Sequence, residues 1–188
     1  MKADSTSVER FGLAPLIRFT LLSLYLALVL PLPLLAPVNL RGWMASGLVL
    51  GLLLVLGLLS EQVETDSKGI RVLYPAWIGW LFRRGWSMTW SDIRALVPVG
   101  TSQGGTVYYV KAANRQHQLL PQRIERFDRF LALLQERSAV NTKGIGRLTP
   151  PWTYQLLAAL AVLMVLVELS AALAVNQGWI GLPAGFPG

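Results

Sequence analysis

Three apolar stretches, residues 19–36, 43–59 and 152–175, hold one charged side chain between them, Glu168. Each is long enough as a helix to cross a hydrocarbon core about 30 Å thick. A backbone in lipid must satisfy its own hydrogen bonds, so each of these stretches is predicted to be a helix. Composition points the same way: 53% of the 188 residues are hydrophobic, 14% are charged, and mean hydropathy is +0.48. These values exclude an ordinary soluble domain. The chain therefore divides into a basic N-terminus (1–18), a transmembrane helical hairpin (19–60), a polar island (61–140), a basic linker (141–151), a third transmembrane helix (152–175) and an uncharged tail (176–188).

In the first span, Pro31, Pro33 and Pro37 crowd the far end, where a helix is expected to kink or stop. A cleaved leader would show small residues in an A-x-A-like pattern. Ala36 instead lies between Leu35 and Pro37, with Leu34 two residues before it, so the span is expected to be kept. Gly47 and Gly51 in the second span form a G-x-x-x-G that lets another helix approach, although glycine is also simply common in such helices. Trp152 and Tyr154 flank one end of the third span and Trp179 lies beyond the other, as interface belts require.

Residues 61–150 carry 13 of the 17 Lys and Arg side chains and 7 acidic ones, a net +6. The hairpin connection has only Arg41, and the tail has none. The positive-inside rule then places the N-terminus and the island on the cytoplasmic side, with the C-terminus opposite.

Within the island, residues 61–66 either extend the second helix or begin a strand. Asp66, Ser67, Lys68 and Gly69 are turn residues. Residues 70–74 alternate as a strand, residues 75–84 do not and read as a loop, and Trp86, Met88 and Trp90 share one strand face. Further strands are predicted at 94–99, 106–111 and 116–120, with the Gly-rich hairpin 101–105 between the first two. From 123 to 137, Ile124, Phe127, Phe130, Leu131 and Leu134 recur at helical spacing, giving an amphipathic closing helix. The fold class is thus a membrane protein of three transmembrane α-helices with an inserted α+β domain, an antiparallel sheet capped by a C-terminal helix.

The residues Asp66 to Ile70 (DSKGI), the strand after them, Trp90 to Ile93 (WSDI), the glycine hairpin and the closing helix resemble the bacterial pleckstrin-homology-like (bPH) membrane proteins. The resemblance covers about 80 residues and departs from the pattern in the aromatic insertion 75–86. It implies a PH-like scaffold or a lipid- or protein-binding module beside membrane helices, not a catalyst. The aromatic-rich segment also resembles small cyanobacterial membrane proteins that assist photosynthetic complexes.

The insertion carries Trp77, Trp80 and Phe82 beside Arg83 and Arg84, a combination suited to the headgroup zone. Trp86 and Trp90 are expected in the domain core, with Trp77 and Trp80 towards the membrane. Glu168 is costly in lipid and is expected to contact another helix of this protein or a partner. With no Cys and a lone His117, neither a metal nor a cofactor is expected. The segment 100–105 lacks the Lys and Ser/Thr of a phosphate loop, and no paired carboxylate or Ser/His/Asp order stands out. Asp92 beside Ser91 is expected to hydrogen-bond local backbone. The expected role is a non-catalytic accessory or assembly factor on a larger membrane complex, contacting anionic headgroups and no nucleic acid. The contrasting expectation is a lipid-headgroup-binding or lipid-handling protein with its pocket between residues 75–86 and the sheet.

Overall fold

Period-2 alternation in the island produces strands, and the computed structural model describes them within residues 8–81, 84–102, 104–114 and 116–178. The chain forms two units, one of residues 8–15 and 57–150, the other of residues 16–56 and 151–178.

The first unit contains two antiparallel sheets rather than the single one expected. Strands β1 (Glu9–Gly12), β2 (Gln62–Thr65), β3 (Gly69–Leu73) and β4 (Trp86–Thr89) make a sheet in the order β1-β2-β3-β4. Strands β5 (Ile93–Gly100), β6 (Thr106–Ala112) and β7 (His117–Leu119) make a second, in the order β5-β6-β7. A short 3-10 turn, Trp90–Asp92, carries the chain from one to the other, so Trp90 belongs to a turn and not to a strand.

β1 lies in the basic N-terminus, outside the island. Its four residues give too short a period to be read as a strand, but Phe11 faces inward and is fully buried. Arg10 opposite Glu64 and Glu9 gripped by Arg129 fix its register. Residues 13–61, with both spans of the hairpin, are thus inserted between two paired strands.

Between the sheets lies one core, closed by helix α5 (Phe127–Ser138). Phe11 meets Phe130 edge-on at 5.7 Å, and Phe127, Leu131, Leu133 and Leu134 complete the buried helix face. The helix starts later than its periodicity suggests. Ile124 is buried, but through a β-bridge to Leu13, and Arg126 stands in the left-handed region at φ 46°, which ends the irregular segment before α5. Trp90 is buried and Trp86 packs partly buried against the core, as expected. The basic linker 141–151 packs on the domain along part of its length: Thr142 is buried, and Gln122 Nε2 donates to the Gly146 carbonyl at 2.9 Å.

In the second unit, three helical stretches are long and apolar enough to cross a membrane: Pro15–Leu35, Val38–Leu58 and Pro151–Val175. The first is interrupted. Helix α1 (Pro15–Val29) ends before Pro31, which lacks the N–H needed to continue, and α2 (Pro31–Leu35) restarts at once. Helix α3 (Val38–Leu58) begins right after Pro37, so residues expected to form the turn are already helical. Tyr25 Oη on α1 donates to the Leu48 carbonyl of α3 at 2.7 Å. Buried Thr20 reaches the Tyr154 carbonyl of α6 (Pro151–Asn176) at 3.0 Å, tying all three spans together.

Candidate membrane and partner interface

Antiparallel register decides which loops of the first unit share an end. Gly12 pairs with Gln62, and Gln62 with Leu73, so β1 leaves, β2 enters and β3 leaves at the same end. The β3–β4 connection, the β5–β6 hairpin and residues 120–126 lie there too, since strands alternate in direction and Ala14 N donates to Arg123 O at 2.9 Å. A Cβ on Gly105 would lie 3.2 Å from Leu148, only three residues before the third span begins. Every point where the chain passes into a span is therefore at this end.

The β3–β4 connection, read as a loop, contains helix α4 (Ala76–Leu81). The N–H groups of Ile78 and Gly79 bond to the Pro75 carbonyl, so Pro75 starts the helix. Ile78 is fully buried, and Gly57 at the close of α3 has no room for a Cβ because Trp77 and Ile78 occupy that space. Away from that contact Trp80 is bare, 84% exposed, and Trp77, with one ring edge against Gly57, is 49% exposed. Arg84 follows, also exposed. Phe82 and Arg83, expected to complete this group, lie outside the described residues, as does Trp179. The aromatic segment is thus divided by burial, with Trp86 and Trp90 inward, and Trp77 and Trp80 outward.

The opposite end is polar. Asp66 accepts from the backbone N–H of Lys68 and Gly69 (2.7 and 2.8 Å) and from the Arg71 guanidinium. Arg71 first and these amides second hold its carboxyl down to about 2. The Asp66 carbonyl accepts from Trp90 Nε1 at 2.9 Å and from Arg137 at 2.7 Å. A cleft of about 420 Å³ opens here, lined by Asp66, Lys68, Arg71, Thr89, Asp92 and Asn114 among others. It lies at the other end of the strands from α4. Asp92 accepts from Thr89 Oγ1 at 2.6 Å, a side-chain hydroxyl rather than the local backbone its sequence context suggested. His117 is exposed on β7 opposite Lys111.

Of the intramembrane residues, Gly51 serves an internal contact, because the Tyr25 hydroxyl fills the place of its Cβ. Gly47 has open space around it. Glu168 Oε2 is buried and has no hydrogen-bond partner among the described residues.

No protein-family model matches the chain, and no solved structure matches it. An uncharacterized protein of the cyanobacterium Synechocystis sp. is 40% identical over 153 residues, covering 78% of this chain and 77% of the relative. The chain belongs to the family of that protein. The shared stretch is longer than either structural unit alone, so the kinship takes in sheet domain and spans together.

Proposed function

We propose that the protein is a non-catalytic integral membrane accessory or assembly factor, a PH-like domain carried on three membrane helices, that docks on a larger membrane complex. The observation that carries this reading is the bare aromatic side of α4, Trp77 and Trp80 beside Arg84, at the end where the chain enters every span. Two antiparallel sheets closed by a C-terminal helix agree with what the bPH resemblance implies. The membrane is the plasma or thylakoid membrane, and a cyanobacterial relative is in keeping with the photosynthetic resemblance. Because β1 and β2 pair, the N-terminal strand and the domain share one side. The basic residues favour the cytoplasm for that side, and three crossings put the C-terminus on the other.

Headgroup binding is the second reading, favoured by the exposed Trp80 with Arg84 close by in the chain. Tagged purification from native membranes in mild detergent, followed by sizing and mass spectrometry, separates the two. A discrete large complex supports the accessory role. A lone small particle carrying anionic lipid transfers the assignment to headgroup binding.

A further inference from the structure

The outer faces of the two sheets have opposite chemistry. On the first, Arg10, Glu64, Arg71 and Ser87 lie in cross-strand register, and ion pairs join Arg10 to Glu64 and Arg71 to Asp66. On the second, Leu96, Tyr108 and Val110 face the core, so the alternate positions face out. Those positions are Val97 opposite Tyr109, Val99 opposite Val107, and Leu119 beside Tyr109. Val97, Val99 and Leu119 are 36, 43 and 43% exposed, and Tyr109 and Val107 are half-buried. Further along the same face stand Lys111 and His117, with Arg94 exposed at the bulge where β5 begins. No Asp or Glu occupies an outward position of these three strands.

An apolar sheet face open to water is unfavourable unless something covers it. Its chemistry differs from that of α4. Membrane-lying helices set Trp, Phe and Leu on one side and Lys and Arg on the other, whereas this face is a sheet of mostly branched aliphatic side chains around Tyr109, with cations only at one end. A rigid apolar face with a one-signed rim matches the anatomy of a protein interface, a hydrophobic centre and a polar border.

We propose that the outer face of β5, β6 and β7 is the surface that receives the partner protein, through an apolar patch on that partner bordered by carboxylates. The inference rests on the accessory reading and names the face and the partner chemistry behind it. Lys111 and Arg94 fix the register against the partner's acids, and Val97, Val99 and Leu119 supply the buried centre.

The test places a photo-crosslinking amino acid at Val99 or Leu119 of the full chain in native membranes, with Glu136 on α5 as the control position. Adducts from Val99 and Leu119, but not Glu136, should map to one protein, on an apolar segment flanked by Asp or Glu. Lys111→Glu should lower their yield about tenfold, the equivalent of roughly 1.4 kcal/mol, while the thermal midpoint in detergent stays at the parent value. Adducts to lipid would overturn the proposal, assigning the face to the bilayer. Adducts to a second copy of this chain would overturn it equally. An intact complex with no adduct from either position would refute this face and leave the accessory role standing. A lone particle with no adduct would remove both.

Discussion

Asp66 is where local chemistry has the clearest measurable consequence. Its carboxyl is held near 2, against an ordinary 3.8, by Arg71 and by the amides of Gly69 and Lys68. Folding therefore favours the charged form, and this contribution is whole above about pH 4 and fades as pH falls towards 2. Asp66→Asn keeps an acceptor for both amides but loses the charge. It should lower domain stability at neutral pH and lose stability less steeply than the parent between about pH 4 and pH 2. Tryptophan emission during acid titration in detergent measures both. Gly57 makes a steric prediction. With Trp77 and Ile78 filling the space of its missing Cβ, Gly57→Ala must displace buried Ile78 and should cost about 1–3 kcal/mol. Thermal unfolding tests that loss.

At the scale of elements, α5 ends at Ala139 in the left-handed region at φ 55°, with its N–H bonded to the Gln135 carbonyl. Glycine has no Cβ penalty there, so Ala139→Gly should stabilise the domain by about 1 kcal/mol, read as a higher thermal midpoint. On the headgroup reading, α4 lies in anionic headgroups. Gly79 has open space for a side chain, so a polarity-sensitive dye on Gly79→Cys should shift blue between neutral and anionic proteoliposomes, and Arg84→Ala should reduce that shift. An unchanged emission would remove the headgroup role from this helix. Strands β3 to β7 and most of α5 were legible because period 2 and period 3.6 show in their runs. Helix α4 was not, since six residues with a glycine inside show too little of either period. The inward set of Trp86, Met88 and Trp90 was legible as well. The apolar outer face of β5, β6 and β7 was not read from the sequence, although Val97 and Val99 beside Pro98 in β5 carried its signal.

At the scale of the whole molecule, a chain without cysteine suits single-cysteine labelling. Ser91→Cys should react from the cytoplasmic side only, and Asn39→Cys and Gln177→Cys from the opposite side only. Labelling of Ser91→Cys and Asn39→Cys from one side would contradict the assigned topology. The sequence predicted the spans but placed the domain wholly between the second and the third, because the four residues of β1 have meaning only through their partner β2, on the far side of two spans. That separation dictates an order of biogenesis. When β1 emerges from the ribosome its sheet partner does not yet exist, and the next two segments made must enter the bilayer and return before β2 is available. Arg10, Phe11 and Arg126 can lock together only with β1 and β2 on one side of the membrane, so a folded domain is incompatible with a hairpin of which a single span has crossed.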